Sequence, residues 1–246
     1  MKISFFEEFP TEENLKKIEM IDFDTKLYIA AASVDDFNKI RKKITSEHVK
    51  ETVYWPVLSY NDGYWMSPFA KRKALLKVME ECMGMDILWD CEMPRKRSLI
   101  LTNLYQFIRN KYFIRTFFLK HDGQIYSAEY FPEKGLIAKW MAFLGLTYNP
   151  EKYKNKVIKM VYSSLHDHGD RFITKEVTTG VKMYGDKFMV ALGTIATGIR
   201  GDEPVLEPKK LERDLKICRD ANVSEVVIFR LAGLTEEYME AIKKYS

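Results

Sequence analysis

Apolar and polar positions along this chain follow two rhythms that take turns from end to end. Short apolar runs of strand length, "KISFFEEF", "KLYIAAAS", "TVYWPVLSY" and "MDILWDCE", each give way to helical spacing. Thr11 caps "TEENLKKIEMI", where Leu15 and Ile18 mark one face. Ser33 with Asp36 resembles a capping box for "VDDFNKIRKKI", whose Phe37, Ile40 and Ile44 are spaced for burial. Ser67-Pro68 opens a third helix, "PFAKRKALLKVMEEC", with proline at its first position. The fourth run is followed by one long helix, "LTNLYQFIRNKYFIRTFFL".

The second half repeats the rhythm. "QIYSAEYF" is a fifth strand, and "KGLIAKWMAFLG" a helix whose Leu136, Ile137, Trp140, Met141 and Leu144 form a stripe ended by Gly145. That stripe, with Phe143, reads as core. "KVIKMVYSS" and "KFMVALGTIA" are strands six and seven. Between them "RFITKEVTTGVKMYG" carries the weakest helical pattern of the chain. "PKKLERDLKICRDAN", "SEVVIFRLA" and "TEEYMEAIKKY" complete the count. Eight strands with intervening helices imply parallel pairing through right-handed crossovers. Eight such units in 246 residues predict a single (β/α)8 TIM barrel, one domain over residues 1–246. A doubly wound sheet would need a glycine-rich first turn, and "EEFPTEEN" has no glycine.

Composition narrows the function classes. A chain that is 46% hydrophobic can bury one sizeable core, and no apolar run approaches the roughly 18 residues of a membrane span. "MKISFFEEFP" has two acids where a signal peptide would be apolar, so the expectation is a cytoplasmic protein. The net charge of +4 is spread along helical faces, which predicts no nucleic-acid partner, and without a spanning run no membrane partner is expected. Cys82, Cys91 and Cys218 are scattered without the spacing of a disulfide framework or zinc knuckle. Abundant Lys and Glu would suit a thermophile. Neither a cofactor nor a resident metal is expected, and oligomeric state leaves no trace in the sequence.

In such barrels the active site lies at the C-terminal ends of the strands. Those ends are rich in acids and aromatics: Glu7, Glu8, Trp55, Tyr60, Asp90, Glu92, Glu129, Tyr162 and Arg230. Aromatic rings stack on sugar faces and carboxylates supply acid and base, so a carbohydrate site is the natural reading. Glu8, Glu92 and Glu129 each precede a strand-ending proline. This is either simple strand termination or a ring of glutamates around one mouth. Alternation sets Ser4, Phe6 and Glu8 on one face, which favours Glu8 over Glu7. Asp90 and Glu92 also share a face, roughly 6–7 Å apart at the backbone. Carboxylates so close resist ionising together, so one pKa rises toward that of a general acid near neutral pH. Alternatively one or both pair with Arg230 or Lys159 as a structural clamp.

"WDCEMP" and "KMVYS" together resemble the family 18 glycoside hydrolases, the chitinase-type barrels. The family's fourth strand ends in Asp-x-Glu and its sixth carries Met-x-Tyr, matched by Asp90, Glu92, Met160 and Tyr162. The resemblance implies that Glu92 protonates the leaving oxygen, Asp90 holds a substrate acetamido group as internal nucleophile, and Tyr162 assists it. Glu8, Trp55, Tyr60, Glu129 and Arg230 complete the expected contacts to a small-molecule or oligosaccharide ligand. The family usually has a further Asp where this chain has Leu88, which favours a competing non-catalytic, carbohydrate-binding barrel. "HDHGD" at 166 to 170, with Glu129 and Glu92, offers a metal-dependent sugar isomerase or hydrolase, against a plain polar loop. Gly193, Gly198, Gly201 and Gly233, with Arg200 and Arg230, offer a phosphate loop against an ordinary connection.

Overall fold

The computed structural model describes residues 1–130, 134–166 and 169–246. Its eight strands close into one all-parallel barrel in sequence order, β8 pairing with β1. They are β1 (Lys2–Glu7), β2 (Thr25–Ala31), β3 (Val49–Pro56), β4 (Ile87–Asp90), β5 (Ile125–Glu129), β6 (Lys156–Met160), β7 (Phe188–Gly193) and β8 (Glu225–Phe229). The chain is therefore a (β/α)8 TIM barrel.

Period-two alternation along each strand divides the core in two. Phe6, Tyr28, Trp55, Leu88, Ile158 and Met189 point inward and fill the barrel. Phe5, Leu27, Ile29, Ile87, Trp89 and Val226 point outward, against the helices. At the N-terminal end of the barrel, Lys26 reaches inward to Glu225 at 3.1 Å and Tyr126 at 3.2 Å, closing the bottom with a satisfied polar cluster.

Ten α-helices surround the barrel among the described residues: α1 (Glu12–Lys16), α2 (Val34–Arg41), α3 (Arg72–Glu81), α4 (Ser98–Thr102), α5 (Leu104–Lys120), α6 (Leu136–Leu144), α7 (Pro150–Tyr153), α8 (Asp170–Tyr184), α9 (Pro208–Asp220) and α10 (Glu236–Lys243). The expected caps form: Thr11 Oγ1 accepts from Asn14 N–H and Ser33 Oγ from Asp36 N–H, both at 3.2 Å.

Three helices depart from expectation. The third begins at Arg72, not Pro68, because the Asn110 amide takes the carbonyls of Pro68 and Ala70 at 2.9 and 3.0 Å. Residues 67 to 70 thus form a turn tied to α5. The long helix breaks at Asn103, whose side chain donates to Phe69 O at 2.9 Å. Trp140 and Phe143 are not core: α6 buries none of its residues. The weakly patterned segment is a full helix, α8. Its Gly180 weakens the pattern because a Cβ there would lie 2.0 Å from the Phe188 ring.

Candidate active site

Where the strands end, inward positions converge on a cavity holding about 640 Å³ of empty space, open solvent at its mouth included. Phe6, Trp55, Leu88, Ala128, Met160 and Phe229 wall it, and Glu8, Asp90, Glu92, Tyr130 and Tyr162 continue the same faces outward. Trp65 closes one side. Residues 194 to 203, which follow β7, cover another with Gly198, Arg200 and Glu203. Gly198 permits this approach, since a Cβ would sit 2.8 Å from a Glu8 carboxylate oxygen.

Besides Glu203 on the covering loop, three acids at the strand ends share the cavity. Glu8 is 6% exposed and accepts a hydrogen bond from Tyr64 Oη at 2.8 Å. Burial pushes its carboxyl up to about 7; Glu92 and Glu203 add to this, while Tyr64 and Arg230 oppose it. Asp90 is 3% exposed, and burial first, then Glu92 and Glu8, raise it above the ordinary range. The Trp55 indole opposes that shift, and among the described residues neither Trp55 Nε1 nor Asp90 Oδ1 has a hydrogen-bond partner. Glu92 is half-buried and accepts from Tyr130 Oη. Burial pushes it up to about 7 against the Tyr130 hydrogen bond and the charges of Arg200 and Arg97. Burial and the adjacent carboxylates also raise Tyr64 and Tyr130, which keeps both phenols protonated as donors.

Of the expected site residues, Glu8, Trp55, Asp90, Glu92 and Tyr162 meet in this cavity. Three do not. Glu129 faces outward, bonded to Lys159 Nζ at 3.1 Å, Ser127 Oγ at 2.7 Å and Tyr148 N–H at 2.9 Å. Alternation along β5 sets Tyr126 and Ala128 inward and therefore turns Glu129 outward, whatever its spacing to the proline in the sequence. Arg230 is also outward. It pairs with Glu7 at 2.8 Å and donates to Thr197 O at 2.9 Å, tying the loop over the cavity to β1. Tyr60 lies beyond β3 and is 56% exposed, outside the cavity lining. The clamp alternative finds Arg230 and Lys159 already taken by Glu7 and Glu129, not by Asp90 or Glu92.

Sequence reasoning missed Tyr130, Tyr64 and Glu203, and named Arg200 only as part of a phosphate loop. Tyr130 was within reach, two residues beyond Ala128 and so on the inward face. The others lie on loops, whose course strand alternation does not govern.

Among the described residues no group of three or more His, Cys, Asp or Glu side chains could hold a metal ion. Asp167 and His168 of the "HDHGD" stretch lie outside the described residues. In the glycine-bearing loop the N–H groups of Gly198 and Arg200 both donate to the Glu203 carboxylate at 3.1 Å. An internal anion therefore occupies the donors a phosphate would need.

No protein-family model matches the sequence, and no curated protein matches it. Solved structures do match. The chain is similar to the PgaB (BpsB) glycoside hydrolase domain from Bordetella bronchiseptica, with TM-score 0.57 and 10% identity over 98% of this chain and 97% of that one. It is similar to a GH128 endo-beta-1,3-glucanase from Amycolatopsis mediterranei in complex with laminaripentaose, with TM-score 0.52 and 9% identity over 100% and 99% of the two chains. The spore cortex-lytic enzyme SleL of Bacillus megaterium follows at TM-score 0.50 and 11% identity, over 99% of this chain and 73% of that one. At such identities the likeness establishes the shared fold.

Proposed function

We propose that this barrel is a glycoside hydrolase-like enzyme whose acid is Glu92 and whose substrate is an oligosaccharide. One observation carries the reading: Glu8, Asp90 and Glu92 converge, with raised pKa values, in one aromatic-walled cavity at the catalytic end of the barrel. Near neutral pH Glu92 is poised to give its proton to a leaving glycosidic oxygen. As that proton departs, the negative charge left on Glu92 favours a proton on its neighbour Asp90. Asp90 Oδ1, without a hydrogen-bond partner among the described residues, orients a substrate N–H or O–H. Tyr162 and Trp55 supply ring faces for sugar, and Glu8 accepts from a hydroxyl while Tyr64 holds it in place.

The family 18 resemblance makes the substrate an N-acetylated sugar, with the acetamido oxygen as nucleophile and Asp90 and Tyr162 around it. The named ligand of one structural neighbour makes a beta-1,3-glucan the second substrate to try. A panel of aryl N-acetylglucosaminides, chito-oligosaccharides and laminari-oligosaccharides tests both, followed by reducing-end release. Turnover by the wild type that disappears in Glu92→Gln supports the assignment; turnover that survives the substitution removes it.

The competing non-catalytic reading rests on Leu88, which lines the cavity on the inward face of β4 where the family usually has another acid. Calorimetric binding of a panel sugar without any release would establish it. Absence of both binding and release across the panel would defeat the carbohydrate reading altogether.

A further inference from the structure

The surface of the barrel is uneven in a way that catalysis does not require. Of the large apolar side chains exposed among the described residues, most fall on α4, α5 and α6. Along α5 the outward stripe that should be polar instead reads Leu104, Tyr105, Ile108, Tyr112 and Leu119, with Tyr105 78% and Ile108 64% exposed. Its opposite stripe, Phe107, Ile114, Phe117 and Phe118, is buried in the ordinary way. The helix is thus apolar on both sides, which a lone surface helix is not.

α6 is the stronger case. Its sequence, LIAKWMAFL, has one charged residue, yet no residue of it is buried. Leu136 is 83% exposed and Trp140 59%. The two helices meet where Phe143 lies 6.0 Å from Phe107, with Trp140 stacked on Phe143 at 5.4 Å. Lys111 Nζ sits 4.4 Å from the centre of the Phe143 ring and donates to Phe143 O, which fixes α6 in this raised position. Taking about 100 Å² for each half-exposed large side chain, the face offers on the order of 1,000 Å² of apolar surface. Apolar patches on monomers are usually about 300–600 Å².

Charge selects the occupant. Residues 95 to 120 contain seven Lys and Arg and no Asp or Glu; Lys111 is buried against Phe143, while Arg109 and Lys120 on α5 and Lys139, the one charge on α6, are exposed. A second copy docked through a two-fold axis would set this basic face against itself. An anionic lipid bilayer complements it: basic side chains meet headgroups while Trp, Tyr and Leu enter the interface. At about 1.5 Å per residue α6 is far too short to span a bilayer and suits lying in its surface. We propose that the face built by α4, α5 and α6 docks this protein on an anionic membrane surface. The expectation of no membrane partner rested on the absence of a spanning segment; among the described residues no helix is long and apolar enough to cross. Docking from the side needs none.

Flotation of the full chain with phosphatidylcholine vesicles, with and without about 30% phosphatidylglycerol, tests this. Bound protein should rise about tenfold or more with the anionic lipid and fall again at high salt. Ile108→Glu with Tyr112→Glu, and separately Trp140→Glu, should each abolish flotation while circular dichroism and the melting temperature stay those of the wild type. Trp140 offers a second readout, because Trp55, Trp65 and Trp89 are buried. Its emission should shift to the blue on vesicles, and Trp140→Phe should lose the shift yet still float. Failure to float with either vesicle overturns the proposal, as does equal binding to both. So does a dimer by light scattering that the same glutamates dissociate while vesicles leave the wild type unbound.

Discussion

Glu7 ends β1 and Glu8 is the next residue, yet they belong to different chemical systems. Glu7 points outward and accepts from Arg230, from the N–H groups of Phe9 and Ala232, and from Asn14. Burial raises its pKa, and Arg230 and those backbone donors work against the rise. Glu129, outward on β5, is held as tightly by Lys159. Glu8, Asp90 and Glu92 point inward, where no Lys or Arg nitrogen forms an ion pair with them among the described residues; tyrosines donate to Glu8 and Glu92, and the Trp55 indole acts on Asp90. The barrel therefore gives direct ion pairs to the acids that knit strand ends to loops, while the acids around the cavity feel Arg200, Arg97 and Arg230 only at longer range. Acids buried with few partners are costly to keep, which is the usual mark of groups retained for a ligand.

The widest separation between the two sets should appear in catalysis. Glu92→Gln keeps shape and removes the transferable proton. Turnover of whichever panel substrate is cleaved should fall by about 10²–10⁴. Glu129→Gln, outside the cavity, should leave the catalytic constants of the folded enzyme within a few-fold.

Stability should reverse that order. Glu129→Ala leaves the Lys159 ammonium buried, and a broken buried pair costs about 3–5 kcal/mol. Glu92→Gln and Asp90→Asn relieve mutual repulsion and should be neutral or stabilising in urea titrations. A loss of several kcal/mol in Glu92→Gln would place that acid with the structural set and take the catalytic assignment with it.

Alternation made most of this division legible in advance. Eight apolar runs with helical spacers were enough for the barrel, and counting by twos puts Glu8, Trp55, Asp90, Glu92 and Tyr162 on inward faces. The same count assigns Glu129 and Arg230 outward; the proline spacing that grouped Glu129 with Glu8 and Glu92 does not say which face a strand residue takes. Tyr64, Arg200 and Glu203 could not be found this way, since their loops are placed by partners distant in sequence. Arg230 tethering Thr197 is one such partner. The exposed face of α6 was hidden for a different reason. An apolar stripe looks the same whether it meets its own core or something else.

A gentler probe is pH. Folded Glu8 and Glu92 titrate near 7 against an ordinary value of 4.5. Between those limits the folded protein holds protons that the unfolded chain has released. Their contribution is thus fully favourable below about pH 4.5 and is lost as pH rises toward 7, by at most about 1.4 kcal/mol per unit for each acid. The melting temperature should fall with rising pH across this window, and Glu8→Gln with Glu92→Gln should flatten the profile. A flat wild-type profile would mean that the inward acids are better solvated or better paired than their surroundings indicate.

The smallest effect tests the one bridge between the two sets. Lys159, while paired with Glu129, also donates to Tyr130 O at 2.9 Å, and Tyr130 Oη donates to Glu92. The outward pair thus steadies the phenol that holds the inward acid. That hydrogen bond lowers the Glu92 pKa against burial, so Tyr130→Phe should raise it further. A neutral hydrogen bond contributes about 0.5–1.5 kcal/mol, which corresponds to a shift of about one pH unit or less. The alkaline limb of activity should move upward by that amount while the folded protein stays intact. An unmoved limb would mean that Tyr130 positions Glu92 without tuning it, or that the limb belongs to Asp90. Repeating the titration in Asp90→Asn separates those two, because only in the second case does the limb itself disappear.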